Sequence, residues 1–178
     1  MLSDPGKKLG YFPDSRIYEQ VAENLLSGRG FSQSESAPFK PTMFKEPLYP
    51  FFITAVKCIF GNNINFVFLI QVLLNPLLAV LVYFIGKVIF TERIARFASF
   101  LVALIPVYAE ISFFIMPEII FMPLLMITIL CLIKADKHPS YLWFILSGLL
   151  LGLSSLCRNA AFLLFLLYPV AILIRKVK

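Results

Sequence analysis

The chain has 178 residues, 60% of them hydrophobic, with a formal net charge of +6 and a mean hydropathy of +0.86. Soluble domains hold roughly 45 to 50% apolar residues even with Gly counted, so a water-soluble fold of this size would expose apolar patches that monomers rarely carry. Plentiful aromatics, scarce Gly and three cysteines exclude a disordered chain, a collagen-like repeat and a disulfide framework. The 16 basic residues are scattered rather than gathered on one element, which excludes nucleic acid as the partner and leaves the lipid bilayer as the natural solvent.

Six of the ten acidic residues fall in the first 46 positions, so residues 1–63 read as a water-facing first loop. Within it, Ile17, Val21 and Leu25, with Tyr18, Ala22 and Leu26, recur at helical spacing ahead of Gly28, the expected C-terminal cap. This is a short amphipathic helix for the membrane surface. Residues 48–60 form a second apolar run, too short to cross, carrying Lys57 and ending at Gly61-Asn62-Asn63; an interfacial helix fits it best. From residue 64 to 178 the spacing predicts five spans, over about 64–90, 95–109, 111–133, 141–156 and 160–174. The expected fold is therefore all-α: a polytopic integral membrane bundle with amphipathic juxtamembrane helices in its N-terminal loop.

The breaks between spans alternate in charge. Lys87, Arg93 and Arg96 flank the first, Lys134 and Lys137 the third, and Arg175, Lys176 and Lys178 the tail. The positive-inside rule sets these in the cytoplasm and puts the first loop, the turn around Glu110 to Glu118, and Arg158 on the extracytoplasmic side. A polar first loop carrying seven bases is not expected to cross a membrane unaided, and no apolar leader precedes it. The reading that follows is a fragment, inactive alone, with a membrane helix before Met1 and further spans after Lys178. Cys58, Cys131 and Cys157 lie in apolar runs without CxxC spacing and read as small buried hydrophobes.

Four features could carry chemistry. Asp14 stands at the start of the amphipathic helix, either as an N-cap or as a functional carboxylate. Glu46 lies between Lys45 and Pro47, either loosely paired with Lys45 or held by the flanking prolines for use. Glu118 follows Pro117 at the mouth of a span, where an ionisable group is either solvated at the interface or functional. Arg158 is the only base in a short extracytoplasmic break, either snorkelling to water or facing an anion.

The order Asp14-x-x-x-Tyr18-x-x-x-Ala22-x-Asn24-Leu25-Leu26-x-Gly28-x-Gly30-Phe31, Glu46-Pro47-Leu48-Tyr49-Pro50, Phe60-Gly61, Gln71, Pro117-Glu118 and Gly148-x-x-x-Gly152-Leu153-x-x-Leu156-x-Arg158 resembles the GT-C membrane glycosyltransferases. The likeness is to the branch containing aminoarabinose transferases and protein-mannosyltransferase-like enzymes. The resemblance implies transfer of a sugar from a polyprenyl-phosphate carrier, with inversion, to a lipid, glycan or protein acceptor on the extracytoplasmic face of a bacterial inner membrane. It implies Asp14 as the catalytic carboxylate that acts as base toward the acceptor or organises the site, Glu118 as a second catalytic carboxylate, Arg158 as the carrier-phosphate ligand, Tyr18, Lys45 and Tyr49 as substrate contacts, and Glu46 as a ligand for a divalent metal ion. Two departures weaken the metal assignment: Ser15 follows Asp14 where many relatives have Glu, and Lys45 stands where many have Arg. His138, on the cytoplasmic side, cannot complete such a site. The alternative is a non-catalytic multispan protein, a transporter or assembly subunit, since Gly148 and Gly152 also suit ordinary helix packing.

Overall fold

The computed structural model describes residues 13–43, 45–138 and 140–167. Among these residues seven α-helices follow in order: α1 (Pro13–Leu26), α2 (Leu48–Phe60), α3 (Ile64–Ile89), α4 (Glu92–Leu104), α5 (Pro106–Ile111), α6 (Glu118–Lys137) and α7 (Tyr141–Cys157), with a 3-10 turn over Asn159–Ala161. Helical backbone resumes over 162–167, and the remainder of the expected fifth span lies outside the described residues. Extended pairing among the described residues amounts to an isolated bridge between Ser32 and Pro41. The all-α reading holds.

By length and apolarity α3 and α6 can each cross a membrane, while α2 and α7 are shorter apolar helices. Large apolar side chains stand exposed along α3, α4 and α7, among them Leu73, Phe84, Phe97, Phe100, Leu104 and Leu149, which is the surface a lipid solvent requires. Helix α3 has the expected limits, and Pro76 sits inside it without ending it. The expected span 95–109 is divided: Pro106 disfavours α geometry at the residue before it, so Ile105 is extended at φ −73°, ψ 112° and α5 begins afresh with Pro at its first position. The next helix starts at Glu118 rather than at residue 111. The intervening Ser112–Pro117 segment is a non-helical turn.

Helices α3 and α6 run in the same direction and α4 and α7 return beside them. At one end Lys137 Nζ donates to the Val88 carbonyl in the last turn of α3, at 2.6 Å, and Lys134 lies over the Trp143 ring at 4.7 Å. At the other end, Gln71 near the start of α3 reaches the turn that precedes α6. A helix rises about 1.5 Å per residue, so Glu118 and Lys137 lie ~30 Å apart, close to the thickness of a hydrocarbon core.

The first loop packs onto that second end. Tyr18, Ala22, Tyr49, Ile53, Val56, Val67, Ile115 and Ile119 form one buried cluster, joining α1, α2, α3, the turn and α6. The apolar face of α1 is thus used against α2, and it is reinforced by Lys57, almost fully buried, whose ammonium lies 3.5 Å from Glu19 and 3.6 Å from Glu23. Gly28 ends α1 at φ 70°, the left-handed geometry expected of its cap. Asn24 then holds the following loop by donating to the carbonyls of Ser32 and Ser34.

Helices α3 and α4 approach closely at Gly86, where an added Cβ would meet the Ala95 Cα at 3.0 Å. Gly86→Leu is expected to force the two helices apart and to destabilise the bundle by about 1–3 kcal/mol, the usual cost of overpacking. A lowered unfolding midpoint relative to the parent protein in matched lipid checks this.

Candidate active site

The end of the bundle that carries the first loop contains a cavity of about 260 Å³, lined by Asp14, Ser15, Tyr18, Lys45, Glu46, Ile115, Met116, Pro117, Glu118 and Arg158. Four parts of the chain supply it: α1, the 45–46 segment, the Ser112–Pro117 turn with the start of α6, and the residue that follows α7. Three carboxylates face two cations there.

Asp14 lies in the first turn of α1, where a carboxylate also meets the positive end of the helix dipole. It is therefore inside the helix rather than its cap, and its Oδ1 accepts from Lys45 Nζ at 2.9 Å. Lys45 turns to Asp14 instead of its neighbour Glu46, and its ammonium also lies 5.1 Å from the centre of the Tyr18 ring. Glu118 forms an ion pair with Arg158, Oε1 to Nη1. Its other oxygen, Oε2, is buried without a hydrogen-bond partner among the described residues. Glu46 lines this cavity and also an adjoining one of about 270 Å³ bounded by Met43, Lys45, Pro47, Ser155, Leu156, Asn159 and Phe162.

Every proposed contact except Tyr49 thus reaches the cavity. Tyr49 is fully buried behind the wall: its ring meets Tyr18 edge-on, with centroids 5.1 Å apart, and its hydroxyl donates to Gln71 Oε1 at 2.6 Å. Burial pushes the Tyr49 phenol well above its ordinary value, and the hydrogen bond with the Met116 backbone opposes this only in part. It supports the site from beneath rather than touching the cavity.

Sequence reasoning passed over the groups that hold the site together. Ser15 is fully buried, and its hydroxyl donates to the Ile115 carbonyl at 3.0 Å, tying α1 to the turn. Gln71 donates from Nε2 to the carbonyls of Ser112 and Phe114, each at 2.9 Å, and the Cys157 thiol donates to the Pro117 carbonyl at 3.4 Å. The signal that could have found them is a small or polar residue standing beside a candidate acid or within an apolar run, as Ser15, Gln71 and Cys157 do.

The dolichyl-phosphate-mannose-protein mannosyltransferase family matches residues 40–178. The chain belongs to this family. Its members are membrane glycosyltransferases of the GT-C kind, and membership agrees with the apolar helices in making this an integral membrane protein that works with a lipid-linked sugar donor. No curated protein and no solved structure gives a significant match. The family match begins upstream of Lys45 and Glu46 and takes in Glu118 and Arg158, but leaves α1, with Asp14 and Tyr18, outside it.

A divalent metal fits this mannosyltransferase-family site poorly. Among the described residues no three His, Cys, Asp or Glu side chains lie close enough to share an ion, and Asp14 and Glu118 are each engaged by a cation.

Burial first, and then the carboxylates of Glu46, Asp14 and Glu118, push the Tyr18 phenol above its ordinary value. A group with a raised native pKa contributes stability that is complete below its unfolded value, about 10 for Tyr, and is lost as pH climbs beyond it. Docking of α1 is expected to weaken above that pH, and Tyr18→Phe to flatten the alkaline loss. Protease sensitivity of the 27–42 loop across pH 9 to 11 measures it.

Proposed function

We propose that the protein transfers a sugar from a polyprenyl-phosphate carrier to a hydroxyl-bearing acceptor, with inversion, at the extracytoplasmic face of a bacterial inner membrane. The observation that carries this reading is one cavity holding Asp14, Glu46 and Glu118 with Lys45 and Arg158, at the opposite end of α6 from Lys134 and Lys137. In the proposed step Asp14 accepts the proton of the attacking hydroxyl, as a carboxylate within reach of the nucleophile can. The hydroxyl oxygen bonds to the anomeric carbon from one face while the bond from that carbon to the carrier phosphate breaks on the other.

The departing phosphate takes the bonding electrons, and its new charge meets the Arg158 guanidinium, whose planar fork suits phosphate oxygens. Lys45 supplies a second cation once an anionic head draws it from Asp14, which frees that carboxylate for the acceptor. Glu118 keeps Arg158 at the wall through Oε1.

The test is turnover of polyprenyl-phosphate sugars by the full-length protein in lipid. Asp14→Asn is expected to lower kcat by about 10² to 10⁴-fold, the range of a lost general base; unchanged turnover removes the assignment. Arg158→Leu is expected to raise the donor KM, with Arg158→Lys intermediate because a lysine holds phosphate as a point charge. A donor KM unaltered in both variants would place phosphate recognition elsewhere.

A further inference from the structure

Gln71 sits eight residues into the apolar helix α3, fully buried. A buried amide costs free energy unless its hydrogen-bonding groups are met. Here Oε1 receives the Tyr49 hydroxyl at 2.6 Å, and Nε2 donates to the carbonyls of Ser112 and Phe114, both at 2.9 Å. Two carbonyls can only receive, so their presence fixes which end of the amide faces the turn. An uncharged group that offers two N–H donors on one side and an acceptor on the other is what this position uses, and a carboxylate of the same shape lacks the donors.

The turn so held leads directly to Glu118, the first residue of α6. Its last carbonyl, on Pro117, is gripped by Cys157, the residue before Arg158. The turn is therefore joined to both members of the Glu118–Arg158 ion pair, along the chain to Glu118 and through the Cys157 thiol to the residue before Arg158. On the other side of the amide, Tyr49 packs edge-on against Tyr18, one helical turn along α1 from Asp14. One side chain thereby links the parts of the wall that carry both acids.

We propose that Gln71 is a positioning residue for transfer: its amide sets the Ser112–Pro117 turn, and through it the Glu118–Arg158 pair, relative to Asp14. This rests on the transferase reading above. Gln71 does not line the cavity and touches no substrate; its effect passes through the turn. Misplacement of reacting groups by about 1 Å can cost on the order of 10²-fold in rate, so a modest shift of the turn suffices.

The experiment uses the full-length protein in lipid nanodiscs, with polyprenyl-phosphate sugars as probe, and compares Gln71→Glu, Gln71→Met and Tyr49→Phe. Transfer is followed against pH, and backbone hydrogen exchange of the 112–117 segment is followed at matched intrinsic rates. In Gln71→Glu the introduced carboxyl, when protonated, still receives the Tyr49 hydroxyl and donates to one turn carbonyl; once ionised it donates to neither. Its activity relative to the parent is therefore expected to fall as pH rises, on the order of 10²-fold at the limit, with faster exchange in the turn. Gln71→Met is expected to show the loss at every pH, and Tyr49→Phe a smaller one, since both N–H donors to the turn remain. Because Gln71→Met leaves two buried carbonyls unmet and can fail to fold, the pH signature of Gln71→Glu decides the matter.

A parent-like pH profile in Gln71→Glu overturns the proposal, as does full transfer by a variant whose turn exchanges freely. If the parent protein itself transfers no sugar from any polyprenyl-phosphate donor, the transferase reading fails and the proposed catalytic role fails with it. The exchange data still report, separately, whether Gln71 holds the turn.

Discussion

The architecture at the loop-bearing end depends on how the irregular backbone between α5 and α6 is satisfied. Ser112, Phe114, Ile115 and Pro117 each offer a carbonyl to a side chain from another element: Gln71 of α3 for the first two, Ser15 of α1 for the third, and Cys157 of α7 for the last. At membrane depth non-helical backbone persists only where protein or water meets its polar groups. Three helices, α1, α3 and α7, are therefore drawn to one short segment, and the cavity lies beside it.

Charge is divided along the bundle in a way that suits this arrangement. Lys137 and Lys134 are engaged at one end, by a backbone carbonyl and an indole ring. At the other end the carboxylates of Asp14 and Glu118 are met by Lys45 and Arg158. Ion pairs that are partly exposed contribute little stability individually. In the proposed transfer their value is chemical: cations held beside carboxylates can be recruited by an anionic head group, and family membership implies that the donor is lipid-linked.

Much of the helical framework is legible in the chain, because lipid and interface impose strong patterns. The 3.6-residue recurrence of Ile17, Val21 and Leu25 marks α1, Gly28 marks its end, and the long apolar run marks α3. The break at Ile105 is written in Pro106, yet a run of apolar residues on both sides hides it. Pro117 likewise stands immediately before the start of α6, but the hydrogen bonds that hold the turn ahead of it reach distant residues, which no local pattern records. The acids of the site could be picked out singly from their positions, but their partners could not: Asp14 chooses Lys45 over a cap and Glu118 chooses Arg158 forty residues away. Tyr49 misled for the same reason, since an aromatic beside Glu46-Pro47 gives no hint that its hydroxyl points inward to Gln71.

Lys45 and Glu46 belong to the walls of both chambers. The wall they share thus includes a lysine whose side chain is largely buried and already paired with Asp14. An anion drawn to that ammonium has to compete with Asp14 for it, whichever chamber it enters.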